Sequence, residues 1–490
     1  MEEAEGLRVA DEAEGLRVAE SPADTSNSSR GNLGSTTMTY LRELKITITV
    51  SLSFMMVYTA YLAIQNLQSS LNQEAGLGVV SLGCLYGSII LSGILTPFVM
   101  RFIGAKTAMI CAWVAHCIYT ASNFYPTWGT LVPASVLLGI LAAPLWTAQG
   151  LYITANSIAY AEIHHETTHA VLSRTNAFFF TCYESTQITG NLISSLVLHR
   201  SDYATNTTDS VKICGADDCP MSANVTVIQE PETHIVFTLL GIFLVFDVLG
   251  LIITAVLLPP LKNKDALESK DVKKSLQSCF SALGDWKLVL LIPFFVMQTM
   301  DQAIFLTEYT KAFVSCSLGI QMVGFVMAVF GASTVVTALP MGYLAKYTGR
   351  HVLFALTCSL DMSILLTMFF WKPSTEEKAV LFILPILMGV GEGIWQTQSN
   401  SLVAIVFPEK KDAAFANYHT WKAMGFAVTF IYSSFLCLRT KLLIAICMLV
   451  TGSVTYAIVE VSIMRTKKKL KAEPDYTSVA LREDNNAKVC

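Results

Sequence analysis

Stretches of about 20 apolar residues recur along this chain, and each is long enough to cross the hydrocarbon core of a bilayer. Twelve are read, at approximately 46–67, 80–100, 107–124, 131–154, 176–198, 234–258, 287–307, 319–344, 352–371, 379–406, 419–437 and 441–464. The composition leaves no soluble alternative. Of the 490 residues 53% are hydrophobic and 14% charged, against about 25% charged in soluble domains. A surface that apolar would aggregate in water, so lipid is the main solvent and nucleic acid is not a partner. No cofactor is implied. The first 40 residues are polar and acidic, without the apolar core of a secretory signal. They repeat EAEGLRVA at 3–10 and 12–19 and read as a disordered tail over 1–40. A second polar tail follows at 465–490.

The distribution of Lys and Arg orients the chain. Basic residues collect after spans two, six, eight and ten (Arg101, Lys106; Lys262, Lys264, Lys270, Lys273, Lys274; Lys346, Arg350; Lys410, Lys411) and after the last span (Arg465, Lys467 to Lys469, Lys471). The loops after spans one and three have none, although Arg200, Lys212, Lys311, Lys372 and Arg439 fall on that same side. Both termini are therefore expected in the cytosol. The loop at 199–233 then lies outside, and it holds two glycosylation acceptors, Asn206 and Asn224. It also holds Cys214 and Cys219, which an oxidising compartment allows to bond. A Cys214–Cys219 disulfide would close a small ring, with Cys316 in the next outer loop a rival partner for either. A metal reading is poor, because no His stands near at zinc spacing.

The chain also echoes itself. LLGILAAPLWTAQ ends at Gln149 and LMGVGEGIWQTQ at Gln398, so that Trp146 and Trp395, like the two glutamines, stand 249 apart. GLGVVSLGCLYGS at 76–88 resembles SLGIQMVGFVMAV at 317–329, and RFIGAK at 101–106 matches KYTGRH at 346–351. Six spans per copy imply two similar bundles, 41–258 and 287–464, joined by the cytosolic linker 259–286. Such an all-α chain resembles the major facilitator superfamily, in which the first and fourth helix of each half line a central cavity. The superfamily's loop signature is present in part. Gly342, Gly349 and Arg350 match in the second copy, and Gly104 and Lys106 in the first. Lys346 and Arg101 replace the acidic residue that helps to hold one face of such transporters closed, which puts ordinary alternating access in doubt.

Longer segments narrow the resemblance. NLQSSLNQEAGLGVVSLGCLYGS, LLGILAAPLWTAQ, GNLISSLV, CGADDC, EYTKAFVSCSLGIQMVGFVM, IWQTQSNSLVAIVF and AAFANYHTWKAMGF together resemble the A-type branch of the uncoordinated-ninety-three family, from the first span to the eleventh. The resemblance implies a transporter-like body without established transport. The founding nematode member is a regulatory partner of a two-pore-domain potassium channel, and a related branch escorts Toll-like receptors.

Ionisable groups inside a bilayer cost several kcal/mol unless paired, buried or wet, and are functional candidates by default. They are His116, Glu184, Asp247, Asp301, Asp361, Glu392 and Lys422. Asp301 and Glu392 fall on spans seven and ten, which line the cavity of the fold proposed. Trp395 and Gln398 continue the face of Glu392. Trp146 and Gln149 stand on span four, and Gln65 on span one. These residues are candidates for a polar central cavity. The plainer reading is that the amides tie helices together and the tryptophans anchor span ends. Lys422 either snorkels to headgroups or pairs with Glu392.

Two short motifs remain. HETTH at 165–169 has zincin spacing, but a short loop between spans offers neither a third ligand nor a cleft, so no metal site and no enzyme are read from it. Tyr476 and Val479 fit an adaptor-read sorting signal in the tail, consistent with endosomal cycling from the plasma membrane. The sequence thus points to a non-enzymatic, multi-pass membrane protein. Its partners are lipids and another membrane protein such as a potassium channel, which it regulates or escorts. The alternative is a secondary transporter of a small solute, with proton coupling through Asp301 and Glu392 as an option. Enzymatic removal of N-glycans is expected to shift the protein on a gel, and Asn206→Gln with Asn224→Gln to abolish that shift. Modification at Asn27 instead would reverse the orientation.

Overall fold

The computed structural model describes residues 31–199, 214–219, 231–261, 281–374, 377–407 and 411–472. Every regular element among them is helical. The first helix, α1, is Gly31–Leu71. Leu77–Ser122 is two helices, α2 and α3, separated at Gly104. Then come α4 (Leu131–His164), α5 (Thr168–Leu198) and α6 (Thr233–Leu257). The seventh, α7, is Trp286–Ile304 and continues through a π-helical stretch, Phe305–Ser315, to Leu318. After it come α8 (Gln321–Thr348), α9 (Arg350–Phe370), α10 (Lys378–Val406), α11 (Lys411–Ser433) and α12 (Leu438–Ala472).

Ten of these segments are long and apolar enough to cross a membrane; α5 and α11 are not. Packing explains the difference. Of all the helices, α5 lies against α8, and α11 against α2. Each faces the opposite half of the molecule, so polar groups there meet protein and not lipid. Apolar side chains such as Val245, Val256 and Phe370 point outward instead, as lipid-facing surfaces require.

Both pairings follow from the internal repeat. An offset of six helices carries α2 against α11 onto α8 against α5. The aligned glycines Gly83 and Gly324 stand at these two contacts. A Cβ on Gly83 would strike Ile431 of α11, and one on Gly324 would strike the Asn191 carbonyl of α5. Gly139 of α4 and Gly389 of α10 repeat the device inside each half, against the backbone of α2 at Leu85 and of α8 at Phe330. Small residues let helices approach closely where no hydrophobic driving force exists.

The helices reach further than the polar tails predict. The first begins at Gly31, inside the expected tail 1–40, and the last runs to Ala472, seven residues past Arg465. Lys, Leu and Ala are good helix formers, so the basic run prolongs α12 until the approach to Pro474. Asn206, Asn224, Tyr476 and Val479 lie outside the described residues. The Gly324→Val substitution is expected to drive a side chain into the α5 backbone. Overpacking of this kind costs about 1–3 kcal/mol, readable as a lowered thermal midpoint in detergent.

Candidate functional site

The two halves meet along a seam of paired polar groups. On the first half Gln65 donates to the Tyr86 hydroxyl at 3.1 Å. The ring of Tyr86 stacks on Phe426 of α11, centroids 4.4 Å apart. Gln396 of α10 donates across the seam to Glu184 of α5 at 3.1 Å. Lys422 lies 5.3 Å from the centre of the Tyr418 ring, and its charge acts on Glu392 of α10 and on Tyr86. The structure sets Lys422 against the Tyr418 ring, and among the described residues it forms no ion pair with Glu392. Behind the seam, Trp146 sits in an aromatic cluster, its ring 5.7 Å from Tyr58, 5.2 Å from Tyr183 and 5.4 Å from Phe54. His116 fills a space between Tyr58, Tyr61 and Trp113 and is a packing residue. Gln149 is buried on α4.

The second half does not use its residues as the mirror of the first. Trp395 does not share an environment with Glu392. It packs on Phe294 and Phe354, each 5.3 Å away, and donates to Asp361 of α9 at 2.8 Å. Asp301 faces a small cavity together with Asp361, and Glu392 is not part of its lining. The cavity beside Asp301 thus has Asp361 in its lining where the sequence placed Glu392. Gln398 is buried on α10, 3.5 Å from the Met341 carbonyl of α8. Asp247 accepts from Thr120 at 2.6 Å, a partner that sequence alone does not disclose.

At the outer face the Cys214–Cys219 ring is not formed. Cys214 is bonded to Cys316 and Cys219 to Cys437, across 102 and 218 residues. The residues between the two cysteines explain the choice. Asp217 meets Lys372 at 2.9 Å and Arg439 at 3.2 Å, and Asp218 meets Lys311 at 3.5 Å. The hydrogen bond from Lys372, with the charge of Arg439 beside it, holds the Asp217 carboxyl below its ordinary range. Two backbone bonds complete the docking: Gly215 N–H to the Ala312 carbonyl and Leu438 N–H to that of Asp218, both 2.9 Å. An outer segment of the first half is thus laid on the second and fixed there, each thiol beside a different partner. Close by, α1 meets α7 through Ser70 and Ser315 at 2.9 Å and through Ser69 and the Thr307 carbonyl at 3.0 Å.

Under this clamp lies an ion pair that the span boundaries had hidden. Glu308 and Lys441 approach to 2.8 Å with side chains 4% and 3% exposed, and Ser433 donates to the same carboxylate. Reading span seven as ending at 307 and span twelve as starting at 441 placed both residues at span ends. Cys437 was likewise absorbed into span eleven.

At the opposite face, the glycines of the two loop signatures, Gly104 and Gly349, share the left-handed region at φ +73 and +81. A β-carbon is disfavoured there. The basic residue that follows each one turns inward. Lys106 donates to the Ala255 carbonyl of α6 at 2.9 Å, a favourable placement for a cation at a helix C-terminus. Arg350 meets Glu460 of α12 at 2.8 Å, with Tyr456 donating to that carboxylate at 3.2 Å. Each signature therefore ties the third helix of a half to the sixth of the same half. In the segment HETTH, Glu166 pairs with Arg174 at 3.3 Å, and among the described residues no group of three His, Cys, Asp or Glu could hold a metal.

Long helices in two related sets, joined through α2–α11 and α5–α8, define a multi-pass membrane protein of the major facilitator type. Solved structures agree on the fold. A nucleoside transporter, NupG, superposes with a TM-score of 0.61 at 11% identity, over 85% of this chain and 99% of that one. A D-xylose-proton symporter does so with 0.59 at 13% identity, over 85% and 97%. The family is more specific. Residues 68–457 match the model of the ion channel regulatory protein UNC-93, and the chain belongs to the UNC-93 family. Protein unc-93 homolog A of Xenopus laevis is 36% identical over 91% of this chain and 98% of its own length. The Homo sapiens homolog A is 38% identical over 86% and 93%. The putative potassium channel regulatory protein unc-93 of Caenorhabditis elegans is 30% identical over 84% of this chain and 60% of its own.

Removing one partner of a buried ion pair strands the other, at a cost of about 3–5 kcal/mol. Glu308→Gln is therefore expected to lower the thermal midpoint and the surface yield sharply. Combining Glu308→Leu with Lys441→Met is expected to recover most of both.

Proposed function

We propose that this chain is a regulatory or escort subunit of another membrane protein, in the first instance a potassium channel, and that it does not move a solute itself. The observation that carries this reading is the outer clamp. Two disulfides and three ion pairs fix residues 214–219, which belong to the first half, to α7, to the loop before α10 and to the α11–α12 turn. A carrier of this fold exposes its centre to each side in turn by moving one half against the other. Fastening at the outer face opposes that motion. The names of the relatives support the same reading, since the nematode protein carries potassium channel regulation in its own. We further infer glycans at Asn206 and Asn224, cytosolic termini, and residence at the plasma membrane with cycling through the Tyr476–Val479 signal.

A carrier reading rests on the likeness of fold to transporters and on the charges at the seam, Glu184, Glu392 and Lys422. Two measurements separate the readings. Co-expression with a potassium channel is expected to change its current at least about twofold, while purified protein in liposomes moves no solute along an imposed proton or sodium gradient. Gradient-dependent uptake that is lost in Glu392→Gln, with no effect on any channel, would establish the carrier.

A further inference from the structure

The cavity inside the second half is bounded by Asp301 of α7, Asp361 of α9 and the apolar side chains of Ile304, Phe305, Leu365 and Met388. It has about 10 Å³ open to the centre of a water molecule, room for one small occupant. The two acids are 5% and 2% exposed. Both carboxylate oxygens of Asp301 and the Oδ1 of Asp361 have no hydrogen-bond partner, whereas the Oδ2 of Asp361 is held by Trp395. Two bare acids against hydrocarbon repel each other strongly at low dielectric, and a residue of this kind within a span is a functional candidate by default. The seam and the clamp make no use of them, and the fold uses only the Oδ2 of Asp361, held by Trp395.

The geometry points to a binding site for a small monovalent cation, of the sodium type, between Asp301 and Asp361. The donor set selects the class. Three uncommitted carboxylate oxygens make a small all-oxygen shell. Calcium takes about 6–8 oxygens, and magnesium keeps several of its waters, for which this cavity lacks space. Zinc favours His and Cys, and neither lines the cavity. A monovalent ion tolerates few ligands and still offsets the repulsion between the two acids. Trp395 acts as a positioning residue. By holding one oxygen of Asp361 it fixes that carboxylate beside the cavity. This inference is independent of the regulatory reading, since a subunit without transport can hold a structural cation.

The test uses the purified full chain in detergent. Sodium chloride is exchanged for N-methylglucamine chloride at constant ionic strength, and thermal unfolding is followed. A ligand that binds only the native state raises the midpoint with its concentration. The midpoint is expected to rise saturably with sodium and less with potassium. The rise is expected to vanish in Asp301→Asn and in Asp361→Asn and to persist in Asp247→Asn, which alters a buried acid elsewhere. Equilibrium binding of radioactive sodium to the unmodified protein gives a second readout that needs no variant to fold, with about one ion per chain expected. Equal midpoints in the two salts, no sodium bound, or a sodium effect that survives Asp301→Asn would each overturn the site.

Discussion

A charge in hydrocarbon has no water to retreat to, so it must meet its complement inside the protein, and that requirement decides which helices touch. Glu308 and Lys441 join α7 to α12, and Arg350 and Glu460 join α9 to α12. Trp395 and Asp361 join α10 to α9, Thr120 and Asp247 join α3 to α6, and Gln396 and Glu184 cross between the halves. Dispersion between apolar faces is indifferent to which helix supplies the neighbour, because lipid tails are as apolar as leucine. These polar contacts supply the selectivity that packing alone lacks. Each is local to one pair of helices, and together they reach most of the bundle.

Backbone proximity supplies the other half of the specification. Where Gly83 meets α11 and Gly324 meets α5, the helices come closer than any side chain would allow. The two contacts are copies of one, carried in each half of an ancestral repeat and now used twice across the seam. The repeated pairing places α5 and α11 alike between the halves, where polar side chains meet protein. The second halves of the repeat have since diverged. Trp146 belongs to an aromatic cluster beside the seam, while its echo Trp395 serves a carboxylate inside its own bundle.

The large-scale plan was legible in the residues because it is written in periodic, additive signals. Span length, the side on which lysines gather and the 249-residue echo each sum over many positions. The pairings were not legible, because each depends on one contact between residues far apart in sequence. The Cys214–Cys219 ring failed for this reason; the rival Cys214–Cys316 bond formed, while Cys437, the partner of Cys219, was not singled out. Yet a signal for the disulfides was present. Lys311, Lys372 and Arg439 broke the charge rule on the side expected to lie outside, and two acids stood between the two cysteines. In the structure those five residues meet, so the exceptions to the rule marked the interaction that overrides it.

The same charges make the molecule unequal at its two faces. At the disulfide-bearing face, acids from the first half meet bases from the second, and two covalent bonds hold them in register. At the opposite face, the bases of the loop signatures turn back into their own halves, Lys106 to α6 and Arg350 to α12. The covalent and ionic fastening at the other face therefore favours one placement of the halves over a cycle between two states of similar energy. A carrier needs those two states to be nearly degenerate, since a ligand shifts an equilibrium only by its differential affinity for them. A body biased to one state suits a protein whose work is done by the surface it presents to a partner.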